Sequence, residues 1–378
     1  MKYMGSKRTM LCNGLGDALN HALAKSERVL DLFTGSAAVS WHVAELYEKE
    51  VLATDLQMYS TVLAASVIER TRPIIERDWV DMWFERAMVH LHAHSYWLDA
   101  KALQESLTNY SPIDAAFAAR SFHFGSDFCL SKAYGGYYFS PWQAMWLDAL
   151  RVTLPPTDSY KKVALAALIQ AASRCAASPG HTAQPFKANE TAGRYLIKSW
   201  QRDLPEIVRE RIEDIAPRFS LKKGVAFCQD ALELAQKAQP GDLVFLDPPY
   251  SGVHYSRFYH VLESVARGRV GEVFGAGRYP EISERPSSEF SVRRTSKKAL
   301  NDLLKILSER DAEVLITFPA GKASNGLSGE DVKIIAADHF EIEEEKVSSR
   351  FSTMGGNLRH RAARQEADEL ILKLTQPL

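Results

Sequence analysis

Cysteine is scarce in this chain. Its 378 residues hold only Cys12, Cys129, Cys175 and Cys228, far apart and without a CxxC pair. The spacing excludes a cysteine-based zinc site. The opening residues Met1-Lys2-Tyr3-Met4-Gly5-Ser6-Lys7-Arg8 have no apolar centre, so no secretory leader is expected. With so few cysteines, that suits a reducing, cytoplasmic setting. No apolar run approaches the roughly 18 residues that a membrane span needs. An excess of one charge is also missing: the formal net charge is −1, so any contact with nucleic acid has to come from a local basic face. There is no internal repeat and no low-complexity tract. What remains is an ordinary globular composition, 46% apolar and 25% charged, with the length of two domains or of one large domain carrying an insertion.

Local patterning supplies the organisation. Val29-Leu30-Asp31-Leu32-Phe33 reads as a short strand that ends in Thr34-Gly35-Ser36-Ala37, and an alanine- and valine-rich helix follows to about residue 48. Val51-Leu52-Ala53-Thr54-Asp55 is a second strand with an acid at its end. Strand, glycine turn, helix, strand and acid open a doubly wound α/β sheet. Helical patterns then dominate, broken by proline and by an aromatic stretch at 122–142. The β/α alternation resumes at Gly224-Val225-Ala226-Phe227-Cys228-Gln229-Asp230, continues through the apolar run Leu243-Val244-Phe245-Leu246, a helix at 257–267 and the strand Glu313-Val314-Leu315-Ile316-Thr317, and closes with two strands at 339–347 and 368–374 that can pair as a hairpin. We therefore expect a split α/β domain, 1–60 with 216–378, and a mostly helical insertion, 61–215.

Chemistry gathers at the strand ends. Ligands of an open parallel sheet bind outside the carboxyl ends of its strands, which is where Asp31, Asp55, Asp230 and Asp247 fall. Desolvated carboxylates repel one another unless a ligand brings donors or positive charge. A ligand with a cationic sulfonium, an amine, a ribose diol and an adenine amino group meets four such acids; S-adenosylmethionine is one. The fourth acid opens Asp247-Pro248-Pro249-Tyr250, a proline-stiffened loop whose carbonyls can face a ligand. Taken alone, those four residues could also be an ordinary turn.

In this order the motifs resemble those of the amino-methyltransferases, in the branch of the DNA adenine methylases. The resemblance implies a Rossmann-like S-adenosylmethionine-dependent methyltransferase sheet, with the insertion as target-recognition domain. Lys2 to Arg8 resembles the segment that closes over the cofactor's methionine part, which points to Tyr3, Gly5, Ser6 and Lys7. Asp31 to Ala37 resembles the cofactor loop, with Asp31, Phe33, Gly35 and Ser36 as contacts. Asp55 matches the acid that binds the ribose hydroxyls and Asp230, 17 residues before Asp247, the acid that meets the cofactor's adenine. The catalytic signature is Asp247, Pro248, Pro249 and Tyr250. One departure is Ala37, where the family usually has a second glycine; alanine packs closely but disfavours positive φ, which puts a strained turn there in doubt.

The implied activity is site-specific methylation of adenine N6 in double-stranded DNA, with the base flipped out, in a bacterium or phage, and with any restriction endonuclease on another chain. No metal and no covalent intermediate are needed. Attack on cytosine C5 would need a Pro-Cys loop, and the dipeptide does not occur. Amino methylation of cytosine stays open, as do RNA as the substrate and a non-catalytic nucleic-acid-binding role. Basic clusters at Arg293, Arg294, Lys297 and Lys298, and at Arg359, Arg361 and Arg364, suit phosphate contacts or merely solvated faces. His90-x-His92-x-His94 sets two histidines one helical turn apart, a spacing that more often reflects packing than a metal.

Overall fold

The computed structural model describes residues 7–350 and 366–377, so the expected Tyr3, Gly5, Ser6, Arg359, Arg361 and Arg364 sites lie outside the described residues. The described chain divides into two compact units, one of 7–72, 219–255 and 286–377, the other of 73–218 and 256–285.

Its strands are β1 (Arg28–Asp31), β2 (Glu50–Asp55), β3 (Val225–Cys228), β4 (Asp242–Leu246), β5 (Val273–Phe274), β6 (Tyr279–Pro280), β7 (Glu313–Pro319), β8 (Glu341–Arg350) and β9 (Glu366–Thr375). Seven of them build the sheet of the first unit, in the order β3-β2-β1-β4-β7-β9-β8. The first five are parallel, while β9 runs antiparallel to both β7 and β8. This is the Rossmann-like, mostly parallel α/β sheet. Every residue of β4 is buried, as a parallel strand covered on both faces requires. One face carries Leu30, Leu52, Val244, Leu246, Val314 and Ile316 into a core closed by Leu300, Leu303 and Leu304 of the helix Ser296–Glu309 and by Val332 of Gly329–Ala337. The helices Ala38–Leu46 and Met58–Ile68 pack together beside β2, tied by Trp41 Nε1, which donates to the Leu63 carbonyl at 2.9 Å. The chain winds outward from β1 to β2 and β3, then returns to β4 on the other side of β1. That reversal sets the switch point of the sheet between β1 and β4, where such folds bind ligands.

The second unit is helical, with the short ribbon β5–β6. Its boundaries depart from the expected 61–215. Residue 61 falls inside Met58–Ile68, a helix with eight of its eleven residues buried, and this helix belongs to the sheet unit. A helix so apolar all round cannot be assigned to either side by its pattern. Residues 256–285, expected with the sheet, pack instead among the helices of 73–218: Arg151 Nε and Nη2 donate to the carbonyls of Val265 and Ala266 at 2.9 Å each, and Tyr134 and Ser264 share a hydrogen bond of 2.8 Å. The 122–142 stretch is largely core here, with Phe128, Tyr134, Tyr138 and Phe139 fully buried. His90 and His94 close on the Phe128 ring at 5.2 and 4.9 Å, a packing role for both. Among the described residues no helix is long and apolar enough to cross a membrane.

Candidate active site

Parallel register brings the strand ends together. Asp31 ends β1, Asp55 ends the adjacent β2, and Asp247 follows β4 on the other side of β1. Beyond β1 the loop turns at Gly35, with φ of 52°, and again at Ala37, with φ of 60° and ψ of 20°. The alanine does occupy the left-handed region, and its methyl is fully buried. Asp55 fixes this loop: its Oδ2 accepts from Gly35 N and its Oδ1 from Gln57 N, both at 2.9 Å. The Thr34 amide and hydroxyl both donate to the Thr54 carbonyl, at 3.1 and 2.9 Å. Two strand ends are thereby locked to one another.

The left-handed alanine yields a test. For alanine the conformation costs about 1–2 kcal/mol. Glycine removes that cost, but loses about 0.4–1 kcal/mol through its freer unfolded chain and about 0.8 kcal/mol with the buried methyl. Ala37→Gly is therefore expected to change stability by less than about 1 kcal/mol, the sum of these terms. Ala64→Gly, equally buried but helical, should lose about 1.5–2 kcal/mol. Denaturant midpoints decide; equal losses would contradict the strained turn.

Asp31 is 1% exposed. Ser40 Oγ, in the first turn of the following helix, donates to its Oδ2 at 2.5 Å, while its Oδ1 is buried and meets no donor among the described residues. Burial pushes the carboxyl up to about 7 against the Ser40 bond, and the charges of Asp247 and Asp55 push the same way. Gln57 Oε1 and Gln229 Nε2, just past the ends of β2 and β3, are likewise buried without partners. Three unmatched polar atoms at three adjacent strand ends are costly unless a ligand supplies their counterparts. Sequence reasoning did not single out Ser40, Gln57 or Gln229. Asp230 caps the helix Ala231–Ala235 by accepting from Leu232 N at 2.9 Å, and Phe33 meets Phe290 edge-on at 5.0 Å.

Asp247 sits in a buried ionic cluster. Lys7 Nζ, 4% exposed, lies 3.1 Å from Asp247 Oδ1 and 3.2 Å from Glu369 Oε1. Thr317 Oγ1, on β7, donates to the same Asp247 Oδ1 at 3.2 Å. Burial raises the Asp247 carboxyl to about 6 even though the Lys7 charge pulls it down. Among the described residues both polar contacts fall on Oδ1, leaving Oδ2 free. Asn325, fully buried, clamps the end of the signature: its Nδ2 donates to Pro249 O at 2.8 Å and its backbone N to Tyr250 O at 3.3 Å. No described donor meets the Pro248 carbonyl. Tyr250 packs against the sheet core, and burial pushes its hydroxyl up to about 12, so the ring is neutral.

The basic clusters fare unevenly. Lys297 is paired with Asp331 at 2.5 Å and Lys298 with Asp302, while Arg293 and Arg294 are exposed and meet no acid among the described residues.

Comparison with known proteins agrees with this geometry. The family model of the D12 class N6 adenine-specific DNA methyltransferases matches residues 3–108 and 164–314. The modification methylase StsI of Streptococcus sanguinis is 25% identical over 307 residues, 80% of this chain and 42% of that protein. The type II methyltransferase M.FokI of Planomicrobium okeanokoites is 24% identical over 350 residues, 90% of this chain and 47% of its own. The chain thus spans less than half the length of these two relatives. For the type II methyltransferase M.NlaIII of Neisseria lactamica the figures are 23% over 277 residues, with 70% and 69% covered. A parallel sheet with acids at its switch point, a clamped Asp-Pro-Pro-Tyr loop and a family match over most of the chain lead to one conclusion: the chain belongs to the D12 class of N6 adenine-specific DNA methyltransferases.

Proposed function

We propose that this chain methylates the N6 amino group of adenine at specific sites in double-stranded DNA. The observation that carries this is a pair of acceptors unengaged among the described residues, Asp247 Oδ2 and the Pro248 carbonyl, on a loop whose other contacts are fixed by Lys7, Thr317 and Asn325. An aromatic amine has two N–H bonds and a lone pair delocalised into its ring. Two acceptors holding those hydrogens draw the nitrogen toward tetrahedral geometry and localise the lone pair, an effect that grows toward the transition state. As the C–N bond forms and the methyl group's bond to sulfur breaks, leaving a neutral thioether, the nitrogen becomes positive and then sheds a proton to water; Asp247, beside it, stabilises that charge. Tyr250 offers a neutral face on which a base can stack, worth about 1–3 kcal/mol. Extracting the base from a duplex costs a few kcal/mol, which stacking offsets in part.

S-adenosylmethionine, the donor implied by the family, supplies a methyl group on a cationic sulfonium. The residues present fit it: Asp31, Gln57 and Gln229 carry buried polar atoms without partners, and Asp55, Asp230 and the Gly35 turn complete the rim. The helical unit, 73–218 with 256–285, is our candidate for target recognition, with exposed Arg293 and Arg294 of the sheet unit as phosphate contacts. Since relatives are named as modification methylases, protection of a site cut by a separate endonuclease is the role we infer.

Incubation with methyl-labelled cofactor and duplex DNA of diverse sequence, followed by mapping of methylated adenines, tests this. Tyr250→Ala should lower transfer about 10- to 100-fold through lost stacking, with cofactor affinity retained. Label in RNA but not in DNA would overturn the substrate, and label in cytosine the base.

A further inference from the structure

We propose that Lys7 and Glu369 form a buried positioning pair that sets the orientation and charge of Asp247, a role that rests on the methyl-transfer reading above. Lys7 Nζ is shared between Asp247 Oδ1 at 3.1 Å and the two oxygens of Glu369 at 3.2 and 3.4 Å. Glu369 comes from β9, beside Pro319 on β7, and is 2% exposed. With Thr317 on the same oxygen, these contacts turn Oδ2 toward whatever donor arrives.

A purely structural role is a poor account of this cluster. Burying one cation with two carboxylates leaves a net negative charge in a desolvated place. Apolar side chains of similar volume commonly do as well or better for stability. What apolar groups cannot do is hold an acid in its charged form. Burial favours protonated Asp247, which loses both its charge and its free acceptor site; Lys7 opposes this, and Glu369 weakens Lys7 by sharing it. Among the described residues the other groups facing the cluster are Thr317 and Tyr250, which are neutral, and Asp31, whose own carboxyl is raised by the charge of Asp247. The two partners therefore act on Asp247 with opposite sign.

The pH dependence of single-turnover methyl transfer is the test. Activity falls as pH drops through the titration of Asp247, near pH 6 in the native protein. Lys7→Met should move that acid limb upward by about 1–3 pH units, a loss of about 5- to 500-fold at pH 6. Glu369→Gln should move it downward. Limbs that stay in place while rates fall would show a merely structural pair and overturn the proposal. If Lys7→Met does not fold, Glu369→Gln decides alone by the same criterion. Wild-type protein that transfers no methyl group would instead overturn the methyl-transfer reading. The infrared carboxyl band of Asp247, assigned by its loss in Asp247→Asn, then reports the two opposite shifts without turnover, and a band unmoved by either variant would end the proposal.

Discussion

Asp247→Ala is expected to lower methyl transfer about 1,000-fold, the upper end of what one preorganised electrostatic partner contributes, because a full charge is removed beside a nitrogen becoming positive. That corresponds to about 4 kcal/mol of transition-state stabilisation. Loss of fold is not the expected cause. Lys7 keeps Glu369 as its counter-ion at 3.2 Å, so the deletion strands no buried cation. Cofactor affinity, measured by calorimetry, should stay close to that of the native protein, since the unpartnered atoms of Asp31, Gln57 and Gln229 are untouched. Methylation that persisted in this variant would show that the acid was wrongly assigned.

Asn325→Ala should destabilise the protein by about 3 kcal/mol, from several buried polar groups losing partners at about 1–3 kcal/mol each with some relaxation. Its side-chain nitrogen donates to Pro249 O and Phe290 O, and its side-chain oxygen accepts from Leu327 N. Alanine leaves all three bare. Asn325→Asp is the sharper variant, because it turns an oxygen toward two carbonyls that need a donor. Denaturant unfolding should rank native, alanine, then aspartate, and transfer rates should fall alongside as the loop loses its clamp. A loss below about 1 kcal/mol for alanine would be less than one stranded buried group costs and would show that the loop holds its shape without Asn325.

Much of this architecture is legible in the sequence, for identifiable reasons. Strands β1, β2, β4 and β7 are short apolar runs because both of their faces are covered, and the acids at or just past the carboxyl ends of β1, β2 and β4 mark the rim of the sheet. The pairing of β8 with β9 follows from two late strand patterns. The second crossing into the helical unit was hidden, since 256–285 begins with a helix like any βα crossover and reveals itself only through partners such as Arg151 and Tyr134. Asn325 stands in Ser324-Asn325-Gly326, which reads as a plain turn. Glu369 lies 362 residues from Lys7, and no local pattern couples them. Ala37 was legible as a departure, but local preference pointed away from the left-handed turn that the surrounding loop imposes.

The position of β9 inside the sheet has a consequence for biosynthesis. Because β9 lies between β7 and β8, β8 emerges from the ribosome with no strand to pair with until the segment after it has been made. Lys7, among the earliest described residues to be translated, gains its second carboxylate only then. A nascent chain can thus assemble β1, β2, β3, β4 and β7 while the acid at its centre still lacks its full setting. Late closure of so long-range a contact is slow to form, so the setting of Asp247 is completed only after β9 has been made.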